Sequence, residues 1–135
     1  MKFSRWPFWK RWFGQRSEKY AARYLRRLGW RILAANVSDT RGEIDLLAID
    51  GQTLVAIEVR SISGDDPHIP ASTVNELKQK KICEAVNRFL SRRNLLGISV
   101  RFDILALAWP VGADTPNVLH IPDAFVSPSK FQMFD

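Results

Sequence analysis

Two acids stand where a buried strand should carry none. Asp45 lies between Ile44 and Leu46, and Glu58 between Ile57 and Val59, within the run from Gly42 to Arg60. The two apolar segments meet at Asp50-Gly51, and Asp-Gly between hydrophobic runs is a strong hairpin signal. Side chains alternate faces along a strand, so Glu43, Asp45 and Leu47 share one face, as do Ala56, Glu58 and Arg60. Folding about that turn puts Ala56 opposite Asp45 and makes Glu58 its diagonal neighbour, roughly 7–8 Å away at the backbone. Two ionised carboxylates that close repel unless a cation lies between them. A hard ion with oxygen ligands, Mg²⁺ or Mn²⁺, is the natural occupant. Either acid alone reads as a strand end in solvent or an arginine's partner; the two together favour the metal.

Other reactive types are sparse. Cys83 is the single cysteine, so no intrachain disulfide forms and a reducing compartment is expected. It falls inside a helical pattern and reads as a packed thiol. His68 and His120 make no zinc-ligand spacing with it. Glu18 is the one acid in a basic helix, and favourable charge near a helix N-terminus would by itself account for it. Lys78 and Lys81 are rooted within the apolar sector of a second helix, where a lysine must reach an edge or meet an anion.

The elements that must position these residues follow from periodicity and breakers. A chain of 135 residues with 46% hydrophobic and 25% charged residues is one ordinary globular domain. Tyr20, Ala21, Tyr24, Leu25 and Leu28 mark a helix over Gln15–Leu28, stopped by Gly29. Trp30–Val37 reads as a strand, followed by a polar turn and the acid-bearing hairpin. Ser61–Ala71 is a loop, the place for an element that gates a substrate or simply a connection. Ser72–Arg93 is the second helix, capped by Ser72 or Thr73, with Val74, Leu77, Ile82, Ala85, Val86, Phe89 and Leu90 on its buried side. Ile98–Trp109 is a central strand with Arg101 and Asp103 on one face, and Asn117–Ile121 a last short strand. Interspersed strands and helices predict an α/β fold, a mixed sheet covered by helices.

Charge is concentrated at the front. Residues 1–31 hold ten Lys and Arg against Glu18 alone, which points to an anionic partner, nucleic acid before membrane surface. Within the leader, residues 1–14, Trp6, Trp9 and Trp12 recur every three positions beside Phe8 and Phe13. These rings would dock on the protein itself or on a second copy, insert at a membrane surface, or stack on single-stranded nucleic acid. No apolar run approaches the roughly 20 residues of a membrane span, and the leader lacks the features of a signal peptide, so a cytoplasmic location is expected.

Taken together, helical Glu18, Asp45 in a Gly-x-x-Asp strand and Glu58-Val59-Arg60 resemble the PD-(D/E)xK nuclease superfamily, whose restriction-endonuclease-like core runs αβββαβ. More closely, the chain resembles the YraN-like family of endonuclease-like proteins, related to Holliday-junction resolvases. The matching pieces include Ala21-Ala22, Tyr24-Leu25, Gly29, Asn36, Arg41 to Leu46, Lys78 to Lys81, Arg101-Phe102-Asp103 and Asp123-Ala124-Phe125. They cover residues 15–125, leaving residues 1–14 as an extension and 126–135 as a tail. The resemblance implies Mg²⁺ held by Asp45, Glu58 and the Val59 carbonyl, with Glu18 on a metal-bound water or a second ion. It implies hydrolysis of DNA, branched or junction DNA among the substrates, with Arg16, Lys19, Arg23, Arg27 and Lys81 on phosphates. Pairing of two chains across a sheet edge, as in related resolvases, would make a homodimer.

The chain departs from the family pattern at Arg60, where lysine is the rule. Arginine can stabilise a charged phosphate but does not give up a proton at physiological pH. Lys78 or Lys81 reaching in from the second helix would replace the missing lysine. Otherwise the chain is a nuclease-fold module that binds nucleic acid without cutting it. A membrane-surface adaptor working through the leader is the third reading.

Overall fold

The computed structural model describes residues 8–126, with side chains from Gln15 onward. Helix α1 (Phe8–Arg27) leads into a hairpin of β1 (Arg31–Asp39) and β2 (Gly42–Asp50), then β3 (Thr53–Ser63). A short α2 (His68–Ala71) and the long α3 (Glu76–Arg92) carry the chain across to β4 (Val100–Trp109), and β5 (Asn117–Phe125) closes the sheet. The five strands lie in the order β1-β2-β3-β4-β5. β3 and β4 are parallel and every other neighbouring pair is antiparallel. This is a mixed sheet flanked by helices, with the αβββαβ order of a restriction-endonuclease-like core.

Alternation explains the two layers. On β3, Leu54 and Ala56 face α3 while Val55 and Ile57 face α1; on β4, Ile104 and Ala106 face α3 while Leu105 and Leu107 face α1. Strands covered on both sides read as continuous apolar runs, which these are. Helix α3 packs Ile82, Cys83, Val86, Phe89 and Leu90 onto its side, and α1 packs Ala21 and Leu25 onto the other. Gly29, at φ +89°, ends α1 as glycine does in a left-handed cap: its amide bonds the Arg26 carbonyl, and the Trp30 amide bonds that of Leu25.

Several boundaries differ from those read in the sequence. Helix α1 begins at Phe8 rather than Gln15, so the leader feeds directly into it. Asn75, not Ser72 or Thr73, caps α3, its side chain accepting from the Lys78 amide. Ser72 and Thr73 instead close α2, a short helix that the prolines of the loop had concealed, their hydroxyls donating to the Ile69 and Pro70 carbonyls. Leu77 is 62% exposed, and the buried side of α3 begins at Ile82.

Candidate metal and phosphate site

The hairpin turn is Gly51-Gln52, since Asp50 pairs with Thr53. Leu46 is opposite Ile57 and Leu47 opposite Ala56, and continuing that ladder by one step sets Asp45 opposite Glu58. The sequence expectation, Ala56 across from Asp45, is off by one position on each strand because Gly51 takes φ +62° inside the turn rather than at its end. The correction brings the acids closer, from diagonal neighbours to direct ones.

The site sits at an irregularity that two residues create. Val37 pairs with Ile44 and Ala35 with Leu46, yet Asn36 and Asp45 between them do not pair. Asn36 adopts φ +52°, a left-handed conformation that asparagine tolerates better than most residues. On both strands the burial alternation switches here: Ile44 and Leu47 face α3 whereas Leu46 faces α1. Asp45 is thereby only half buried, and its Oδ2 accepts the Val59 amide at 2.9 Å. Buried Asn36 donates its side-chain amide to Glu18 Oε2 at 2.9 Å, tying α1 to this break in the ladder.

Glu58 is 3% exposed. Its Oε2 lies 3.3 Å from Arg60 Nε and 3.6 Å from Lys78 Nζ. The Arg60 contact is a charge pair without directed bonding, because Arg60 Nε, like Glu58 Oε1, has no hydrogen-bond partner. Burial pushes the Glu58 carboxyl up to about 8, and the adjacent Asp45, near enough to share a proton, adds to the rise. Lys78 and Arg60 pull the other way without prevailing. Below about pH 8 the pair therefore keeps a proton that additional positive charge would displace.

The sequence-predicted residues fall into three groups. Asp45, Glu58, Val59, Arg60 and Lys78 come together. Of the two lysines, Lys78 reaches Glu58 and Lys81 does not: Lys81 lines a neighbouring cleft of about 320 Å³ with Arg41, Glu43 and Lys78. Glu18 meets the site through Asn36, and among the described residues no three His, Cys, Asp or Glu side chains form a group that could hold a metal ion. On α1, Lys19, Arg23 and Arg27 are exposed. Arg16 is tethered, its guanidinium bonded to the Ala113 carbonyl at 2.8 Å and stacked 3.7 Å over Trp109. These four residues belong to the helix on the other side of the sheet from Lys81. Trp6, Trp9 and Trp12, the basis of the membrane-adaptor reading, lie outside the described side chains.

Sequence reasoning missed the work of two residues. Asn36 entered only as part of a motif, though an asparagine amid strand formers is itself a sign of irregular backbone. Arg41 was read only as part of a polar turn and of the family motif. A second acid cluster is structural: fully buried Asp103 accepts from Arg101 at 3.0 and 3.1 Å, from the Asp123 amide at 3.0 Å, and lies 2.8 Å from His120 Nε2. Burial raises the Asp103 carboxyl, but these bonds outweigh it and hold it below its ordinary value. They anchor β5 to β4, and no helix among the described residues is long and apolar enough to cross a membrane.

The profile of a family described as "Uncharacterised protein family UPF0102" matches residues 17–107. A UPF0102 protein of Rhodopirellula baltica is 43% identical over 115 residues, spanning 83% of this chain and 69% of the relative. One from Geobacter sulfurreducens is 38% identical over 112 residues, spanning 83% and 87%. One from Persephonella marina is 36% identical over 112 residues, spanning 83% and 91%.

Proposed function

This chain belongs to the uncharacterised protein family UPF0102, and on that footing we propose that it is a metal-dependent endonuclease hydrolysing phosphodiester bonds in DNA, junction and branched forms included. The observation that carries the reading is the buried, incompletely bonded Glu58 carboxylate facing Asp45. An acceptor without a partner in a dry site costs stability unless something fills it. Two carboxylates and the Val59 carbonyl are the hard oxygen donors that Mg²⁺ or Mn²⁺ takes. When bound, such an ion lowers the pKa of its water and stabilises charge on the phosphate.

The remaining roles belong to the chain. Asp45 is fixed by the Val59 amide, so its second oxygen is presented in one orientation. Lys78, as a compact donor beside Glu58, orients the attacking water, the task left open by the absence of a lysine at position 60. Arg60 holds the phosphate's developing negative charge. Glu18 acts through Asn36 as a positioning residue for the Asp45 backbone. Lys19, Arg23, Arg27 and Lys81 set position on the phosphate backbone rather than reading sequence, and Arg16 does so only by leaving Trp109. Incubation with Mg²⁺ or Mn²⁺ and junction, flap and linear DNA tests the proposal. Cleavage abolished by Asp45→Ala is expected; cleavage unchanged by it rules this site out.

A second reading is favoured by Arg60 itself. Two cations already contact Glu58 Oε2, which suits a nuclease-fold module that binds DNA without cutting it. Arg60→Lys separates the two: activity gained only on that change marks the natural chain as the inert form.

A further inference from the structure

The cleft between the β1–β2 turn and the first turns of α3 holds Lys78 and Lys81, yet its other basic residue, Arg41, has no part in the proposed reaction. It is lined by Asp39, Arg41 and Glu43 from the hairpin and by Lys78 and Lys81 from α3. Asp39 would repel an anion were its charge not already spent. Arg88 binds it through Nε at 2.6 Å and Nη2 at 3.1 Å, and Arg92 lies 3.6 Å away. The amides of Arg41 and Gly42 complete its shell at 2.9 and 3.1 Å. That network also ties the turn to α3, placing Arg41 in the same cleft as Lys81.

We propose that this cleft is a second phosphate site, in which Arg41 and Lys81 bind the phosphate next to the one presented to Asp45 and Glu58. The inference rests on the nuclease reading for the identity of that neighbouring phosphate, but not for anion binding itself. Lys78 joins the two sites, since it lines the cleft and contacts Glu58. Glu43, on the cleft wall, is two residues before Asp45, about 7 Å along a strand, the scale of one nucleotide step. A volume of about 320 Å³ admits a phosphate and part of its sugar. The substrate class follows: a strand with at least two consecutive phosphates, not an isolated phosphodiester.

The test titrates the isotope-labelled full chain with inorganic phosphate, and separately with Mn²⁺, by NMR. Saturable shifts of the Arg41, Gly42 and Lys81 amides are expected, with affinity about tenfold or more weaker in Arg41→Ala/Lys81→Ala, as for lost charge-assisted hydrogen bonds. A charge-keeping Arg41→Lys/Lys81→Arg protein should recover most of it. Phosphate shifts confined to other residues, or undiminished affinity in a double-alanine protein with native-like spectra, overturn the proposal. Mn²⁺ should broaden the Val59 amide equally in all these proteins. If it does not broaden Val59 while phosphate still binds, the metal reading fails and the anion cleft stands.

Discussion

Lys78, on the first turn of α3, holds its ammonium 3.6 Å from the buried carboxylate of Glu58 on β3. The contact joins the helix that covers the sheet to the acid at its centre. Under the proposed function, Lys78 is the lysine that stands in for the one the family pattern has at position 60.

If Lys78 orients the attacking water, Lys78→Met should slow DNA cleavage by about 10²–10⁴-fold, the range for loss of a positioned proton-transfer group. Affinity for DNA, set by many phosphate contacts, should fall far less. Single-turnover cleavage alongside binding by anisotropy distinguishes these, and equal losses in both would reduce Lys78 to a phosphate contact.

The Glu58 carboxyl, raised to about 8 by burial and by Asp45, makes metal-free stability depend on pH. Between its ordinary value and 8 the unfolded chain has lost this proton and the folded one keeps it. This group's stabilisation is therefore full in acid and is lost as pH rises through 8, and Glu58→Gln should flatten that slope in denaturant titrations. A Mg²⁺ ion bound as proposed would have to displace the same proton, so its affinity should increase with pH up to about 8 and its uptake should release acid into a weakly buffered solution.

Asp39 behaves in the opposite sense. Its bonds from Arg88 first, and from the Arg41 amide next, lower it to about 2. The stabilisation is present above pH 4 and disappears as pH falls through 2. Asp39→Ala should cost about 1.5–3 kcal/mol at neutral pH and remove that portion of the acid transition.

At Asn36 the backbone and the side chain can be separated. Asn36→Gly keeps the left-handed conformation and loses the bond to Glu18; Asn36→Ala loses the bond and strains the chain as well. Alanine should therefore be less stable than glycine by about 1–2 kcal/mol, while both lose cleavage activity alike. Equal stability would mean that the break in the β1–β2 ladder relaxes without asparagine.

Most of the architecture was legible because it depends on patterns that a chain displays openly. Alternation along β3 and β4 and the 3.6-residue stripe of α3 follow from burial alone. The acid pair was visible for the complementary reason, as polar residues in the wrong place. What stayed hidden depends on single backbone conformations. Gly51 sets the turn one residue later than expected and so shifts the register by two, Asn75 rather than Ser72 caps α3, and Asn36 turns two strands over at once. The choice of Lys78 over Lys81 could not be read from angular position on a helix, because both lie in the same sector and differ only in which meets β3.

The ion between Asp45 and Glu58 is the central claim, and anomalous diffraction from crystals soaked in Mn²⁺ measures it most directly. A single strong peak bridging the two carboxylates, absent in crystals of Asp45→Asn, is predicted. Carboxylates still held by the Val59 amide, Arg60 and Lys78 with no peak between them would contradict it.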